Sequence, residues 1–410
     1  MDEGPRTIQA VMPSHLAIFG SHEQKTIAQL ERCAAVEGGA RAVLCADGHL
    51  GYSMPIGGVV GYHRFISPSG VGYDIACGNL AARTDLRASD IGDWTRLAAE
   101  IQRSISFGIG RKNNDPVPHH PVFDRIAASP VLQQRQLLQL ARDQLGTVGS
   151  GNHYVDLLED ENERVWIGVH FGSRGFGHRT ATGFMRIAQG GSWESGRAEG
   201  DMESPPLLLP LARPSGQDYF EAMTIAGEYA YAGRELVVER VRQILGATIV
   251  ASVHNHHNFA WKETHGGDPL VVVRKGATPA FPGQRGFVGG SMGDVSVILE
   301  GIDSAASRTA LYSTVHGAGR VMSRTQAAGR VQRRTGKVIK PGLVDWQSAQ
   351  RQVREFGAVL RGGGPDEAPE VYRPLDSVLS AHAGTIRVLH RLKPRAVVMA
   401  GRNELDPYKD

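Results

Sequence analysis

Five glycine-flanked turns carry the side chains of this chain that are best suited to chemistry. They are Gly70-Val-Gly-Tyr-Asp74-Ile-Ala-Cys77-Gly78, Gly149-Ser-Gly-Asn152-His153, Val169-His170-Phe-Gly-Ser-Arg174-Gly, His256-His257-Asn258 and His316-Gly-Ala-Gly-Arg320. Asp, Cys and His together are the ligand types of a transition-metal site. The neighbouring glycines let backbone N–H groups approach an anion without obstruction by a Cβ. Asp74 and Cys77 are three residues apart, close enough to face one ion or to bridge two. Taken singly, each residue has a plainer reading. An isolated histidine at a strand end is usually a hydrogen-bonded structural residue, a lone cysteine a small buried hydrophobe, and a lone aspartate a turn former. His119, His120, His254, His256 and His265 keep that plainer reading. Five turns with one grammar are harder to ascribe to coincidence.

The elements around these turns predict mixed α and β structure. Arg41 to Asp47 reads as a buried strand ending on a carboxylate, and Val165 to Val169 as a strand delivering His170. Ala247 to Val253 is a strand running into the His254 to His257 cluster, with further strands at Leu270 to Arg274 and Ala396 to Ala400. Helical periodicity covers Asp90 to Ile105, capped by Ser89 or Asp90. It also covers Val131 to Leu145 (stopped by Gly146), Gln217 to Leu245 with a break at Gly227 or Gly233, and Leu375 to Leu392. Segments 111–121 and 190–214 read as surface insertions, and no composition shift divides the 410 residues, so one large domain is expected.

Composition narrows the function classes. The net charge is +3, hydrophobic residues make up 41% and charged residues 21%, which excludes general disorder. Glycine is in surplus at 51 residues but without a Gly-X-Y period, so collagen is excluded. No apolar run is long enough for a membrane helix, and the N-terminal Met1 to Arg6 lacks the apolar core of a signal peptide. Three cysteines, with no Cys-x-x-Cys pair, fit a reducing cytoplasm. The P-loop, the strand-following G-x-G-x-x-G and H-E-x-x-H are all missing, so a nucleotide would have to bind through unconventional loops. From Arg320 to Lys340 there are seven basic residues and no acid: Arg320, Arg324, Arg330, Arg333, Arg334, Lys337 and Lys340. This is either a solvated face or a phosphate track leading to His316.

Read together, the segments resemble the RtcB-type RNA-splicing ligase family. The resemblance is carried by Ala46-Asp47-Gly48-His49-Leu50-Gly51-Tyr52, Pro55-Ile56-Gly57-Gly58-Val59, the Gly70 to Gly78 turn, Gly146 to His153 and His170 to Gly175. It continues through His257-Asn258, Arg274 to Thr278, Gly290-Ser291-Met292-Gly293 and His316 to Arg320, within a core of about residues 46 to 401. What the resemblance implies is a single α/β (mixed α+β) domain with mixed sheets and glycine-rich active-site loops. It also implies a ligase dependent on GTP and on Mn²⁺, two ions per site. Its partners would be RNA ending in a 3′-phosphate or 2′,3′-cyclic phosphate and RNA with a 5′-hydroxyl. The sequence leaves the oligomeric state open, a monomer being the simplest expectation.

Carried over by motif, His316 would be the guanylylated nucleophile. Asp74, Cys77, His153, His170 and His257 would hold the metals, Cys77 bridging two ions. The guanylate would meet Asn152, His153, Tyr154, Val155, Asp156, His257, Asn258, Gly289, Gly290, Ser291, Met292, Ser296, His316, Gly317, Ala318 and Gly319. Arg174, Arg320 and Arg324 would meet RNA phosphates. Three positions depart from the family's pattern: Asp156 where it has Glu, Ala400 where it has Lys, and Phe171 where it has a small Ser. They keep two other outcomes in view, an enzyme that caps or repairs RNA ends without joining them, and a metal-containing RNA-binding protein without catalysis.

Overall fold

Two β-sheets bring the chemistry-bearing turns together. The computed structural model describes residues 16–196, 202–331 and 338–401. The first sheet has five strands in the order Leu16–Ile18, Arg41–His49, Ile56–Tyr62, Asp268–Lys275 and Asn258–His265. All its pairings are antiparallel except that of Leu16–Ile18 with Arg41–His49. Alternation of Val, Leu and Ala along Arg41–His49 buries this strand between two apolar clusters, one containing Leu44 and Val60, the other Val43, Cys45 and Val59.

The second sheet runs Arg285–Val288, Ser296–Gly301, Ile386–Gly401, Tyr154–Glu159, Arg164–Phe171, Gly78–Arg87, Ile249–His256, with Val359–Gly363 added parallel to Ile386–Gly401. Its register decides where the chemistry sits. Gly78 lies opposite both Phe171 and His256, and His170 lies opposite both Asn79 and Tyr154. The starts of two strands and the ends of two others therefore meet at one margin, and the turns beyond them are forced into one volume. The helix Pro214–Leu245 packs behind this sheet, burying Tyr229, Arg234, Val237 and Val241.

Several elements differ from the sequence expectation, each for a local reason. The helix Pro214–Leu245 is continuous. Gly227 and Gly233 admit the rings of Phe259 and Phe171, which a Cβ would approach at 2.8 and 3.3 Å. Val131 to Leu145 forms two short helices, Leu132–Arg135 and Leu138–Gln144, rather than one. The helix expected from Asp90 begins at Trp94, because Asp93 accepts hydrogen bonds from the Thr95 and Arg96 backbones. Leu375 to Leu392 is not one helix. It stops at Ser380, and Ile386–Gly401 is a long strand in which β-branched and apolar residues pack across the sheet. Among the described residues no helix is long and apolar enough to cross a membrane.

Candidate active site

A cavity of about 940 Å³ opens where the margins of the two sheets meet. Asp74, Cys77, His170, His257 and His316 line it. The first four, with His153, form two ligand triads that share one atom. Cys77, His170 and His257 make one group and Asp74, Cys77 and His153 the other, and within each the ligand atoms lie within 4.8 Å of one another. Cys77 Sγ stands 3.5 Å from His170 Nε2 and 3.7 Å from His153 Nε2, while His153 Nε2 is 3.0 Å from Asp74 Oδ2. Glycine is required where these side chains cross the backbone. A Cβ on Gly172 would stand 2.1 Å from Asp74 Oδ1, and one on Gly149 would stand 2.2 Å from His153 Nδ1.

The imidazoles of His170 and His257 are in the state that could bind a metal, whereas the Cys77 thiol would have to give up its proton. Burial pushes His170 and His257 well below the usual histidine range, so both imidazoles are neutral. Asn79 donates its amide to the Phe287 carbonyl, which leaves its Oδ1 to accept from His170 Nδ1 at 2.6 Å. The proton of His170 is thereby fixed on Nδ1 and the lone pair of Nε2 faces Cys77. Burial, reinforced by Asp74, pushes the Cys77 thiol up. Burial opposes ionisation of Asp74, yet its contacts with His153, with help from Cys77 and the Arg174 charge, drive it down to about 2. His153 Nδ1 and His257 Nδ1 are buried without a hydrogen-bond partner.

His316 stands one ring beyond this set. Its ring centroid is 4.9 Å from that of His257, which in turn stacks on His170 at 5.1 Å. Asp47, completely buried at the end of the first sheet's second strand, accepts from His316 Nδ1 at 2.6 Å. The same oxygen accepts from the backbone N–H groups of His316 and Gly317 at 3.0 and 3.3 Å. Burial alone would raise this carboxyl, yet the His316 contacts hold it below the ordinary range. Neither Asp47 nor Asn79 had a role assigned from sequence. Their signal was that each is a polar residue inside a buried apolar strand, where such a side chain needs a partner.

Beyond His316 the cavity is walled by Gly317, Ala318, Gly319, Gly289, Gly290, Ser291 and Met292, with Asn152, Tyr154, Asp156 and Asn258 opposite. Ser296 holds the glycine loop by accepting from Gly290 N at 3.0 Å. Val155 faces the apolar core instead, so it can offer a ligand its backbone alone. Tyr154 Oη and Asp156 Oδ1 are buried without a hydrogen-bond partner, and burial pushes the Asp156 carboxyl well above its usual range. Ala400 is buried.

The arginines expected at RNA phosphates are held within the protein. Arg174 donates to Thr147 Oγ1 and the Gly108 carbonyl. Arg320 and Arg324 line the cavity, paired with the buried Asp366 and Glu367. Of the basic run, Arg333, Arg334 and Lys337 lie outside the described residues. Arg330 and Lys340 are exposed and face each other across the hairpin formed by Gly329–Val331 and Val338–Pro341. Four further histidines have partners within the fold. His120 caps the helix Pro121–Ala127, His265 meets Glu263, and His254 and His256 both face Arg234.

Comparison with known proteins identifies the chain's relatives. The family model for tRNA-splicing ligase RtcB matches residues 29–129 and 124–400. The RNA-splicing ligase RtcB of Escherichia coli K12 is 31% identical over 376 residues, covering 85% of this chain and 87% of its own. The tRNA-splicing ligase RtcB of Archaeoglobus fulgidus is 30% identical over 432 residues, covering 87% of each chain. With nearly the whole sequence matched and the motif residues gathered around one cavity, the chain belongs to the RtcB family.

Proposed function

We propose that this protein is an RNA ligase that joins a 3′-phosphate or 2′,3′-cyclic phosphate end to a 5′-hydroxyl end, using GTP and a guanylylated His316. The observation that carries the reading is the pair of ligand triads sharing Cys77, set one imidazole away from a histidine whose Nδ1 is bonded to a buried carboxylate.

The donor set fits manganese. Three imidazoles, one carboxylate and a single thiol are a harder mixture than the thiolate-rich sets of structural zinc. The triads would supply donors for two ions, Cys77 being common to both. When bound, such ions would neutralise phosphate charge at the reacting oxygens.

The chain's own groups account for the nucleotidyl step. Asp47 keeps the proton of His316 on Nδ1, leaving the Nε2 lone pair as nucleophile. Attack on the α-phosphorus of GTP forms an N–P bond while the bond to the pyrophosphate oxygen breaks, and pyrophosphate leaves. The imidazolium formed in this step is balanced by the Asp47 carboxylate. A 2′,3′-cyclic end must first be opened by water to a 3′-phosphate. An oxygen of the 3′-phosphate then displaces His316 and takes the GMP, and the 5′-hydroxyl oxygen attacks the 3′-phosphorus, giving up its proton as GMP leaves. The glycine loops at Gly289–Gly290 and Gly317–Gly319 are suited to the nucleotide's phosphates, and Tyr154 and Asp156 to its polar base.

The test is incubation with Mn²⁺ and GTP labelled at the α-phosphate, followed by addition of 3′-phosphate and 5′-hydroxyl RNA. Label on the protein and then a joined strand is expected. Label that passes to RNA without joining would support an end-capping enzyme instead. Absence of label would leave an RNA-binding protein.

A further inference from the structure

Arg234 is a fully buried cation that meets no carboxylate at ion-pair distance among the described residues. A buried charge is costly unless its hydrogen bonds are satisfied. This guanidinium uses all three of its nitrogens. Nη1 donates to the carbonyls of Ala76 at 3.0 Å and Phe171 at 2.6 Å, Nη2 to His256 Nδ1 at 3.0 Å, and Nε to His254 Nε2 at 2.8 Å. Arginine has no acceptor, so both imidazoles present lone pairs to it and are neutral.

The identity of these partners is informative. Ala76 precedes Cys77, Phe171 follows His170, and His256 precedes His257. One side chain on the helix Pro214–Leu245 thus grips the residue next to each ligand of one triad. The grip falls on a strained point. Ala76 has φ +58°, a left-handed conformation that a residue with a Cβ adopts only when its surroundings enforce it. Its carbonyl is held by Arg234, and its N–H donates to the Asn258 carbonyl at 2.7 Å. Without the guanidinium two carbonyls would lose their donor, and the turn presenting Cys77 could relax away from His170.

We infer that Arg234 is a positioning residue that holds Cys77, His170 and His257 in ligating geometry from behind. The inference rests on the metal-centre reading given above. Because Cys77 belongs to both triads, its displacement should weaken both ions.

The experiment compares full-length wild type, Arg234→Lys and Arg234→Met after removal of metal. Co²⁺ is titrated by its visible bands and its thiolate-to-metal absorption, and Mn²⁺ by the EPR signal of the free ion. Wild type is expected to take two ions. Arg234→Met should bind each about 10- to 100-fold more weakly, the usual cost of losing a partner that orients metal ligands. Its thiolate band should shift or weaken. Arg234→Lys keeps the charge and most of the length but reaches fewer acceptors, so it should fall between. It carries the test alone if the methionine variant does not fold. A folded Arg234→Lys protein with a lower melting temperature, but with wild-type affinity and spectrum, would overturn the inference and leave Arg234 a packing residue. A wild type that binds neither ion would instead overturn the metal-centre reading.

Discussion

Replacing Asp47 by Asn changes one charge at a completely buried position and little else, which makes it a sharp probe of the His316 environment. In the native protein one carboxylate oxygen accepts from His316 Nδ1 at 2.6 Å and from the His316 and Gly317 backbones at 3.0 and 3.3 Å. The two backbone donors should keep the oxygen of the new amide on that side, so the Nδ1–H tautomer and the Nε2 lone pair survive. What is lost is the charge assistance to the imidazolium that forms as His316 takes the nucleotide. A hydrogen bond to a charged group contributes about 1.5–3 kcal/mol against about 0.5–1.5 kcal/mol for a neutral one, a difference of about 1–1.5 kcal/mol, so labelling of His316 in a single turnover should slow about 5- to 12-fold. Mn²⁺ affinity should stay within about twofold, since Asp47 belongs to neither triad. Asp47→Ala, by contrast, strands the buried N–H groups and should also lower stability, each orphaned donor costing about 1–3 kcal/mol. The assay is quenched-flow labelling from GTP labelled at the α-phosphate. A rate within threefold of wild type in Asp47→Asn would refute the argument that this carboxylate activates His316.

His316→Ala should take up no label from GTP yet bind Mn²⁺ as wild type does, and residual labelling would move the nucleophile elsewhere. Cys77→Ala should weaken both ion sites, whereas His257→Ala should weaken mainly one; two-site Mn²⁺ titrations distinguish these patterns. Because burial holds the Cys77 thiol protonated, ion binding to wild type must release its proton, so affinity should rise with pH, and calorimetry in buffers of different ionisation enthalpy should count that proton. In the proposed base pocket, Ala400 supplies no side-chain donor, and burial pushes the Asp156 carboxyl up, towards the neutral form that is the poorer acceptor for guanine N–H groups. Discrimination of GTP against ATP should therefore be weak and should improve in Ala400→Lys; if wild type already excludes ATP and the substitution changes nothing, guanine is recognised by other groups. Arg330 and Lys340 are like charges placed opposite each other, an arrangement that favours a bound anion. Replacing both by Ala should flatten the salt dependence of single-stranded RNA binding by about 0.7 per lost phosphate contact while His316 labelling persists, and an unchanged slope would make the hairpin a solvated face.

The sequence by itself determined which side chains are candidates for chemistry, because ligand type and glycine flanks are local properties. Asp74, Cys77, His153, His170, His257 and His316 could be named from turns of a few residues each. Strands with an apolar run and a punctuating turn were equally legible, as at Arg41–His49 and Arg164–Phe171. Elements whose periodicity is ambiguous were not. Ile386 to Leu392 has enough leucine and arginine to look helical, and only pairing with Ser296–Gly301 makes it part of the strand whose later residues, Ala396 to Ala400, were legible. Tertiary structure alone decided which residues meet. The register that sets Gly78 opposite Phe171 and His256 brings four distant turns to one margin, and no local pattern encodes a register between strands 90 or more residues apart. For the same reason the partners of the site were invisible: Asp47 reaches His316 across 269 positions, and Arg234 reaches Ala76 across 158. A buried carboxylate or guanidinium announces in sequence only that it needs a partner; the fold supplies the partner, and with it the role.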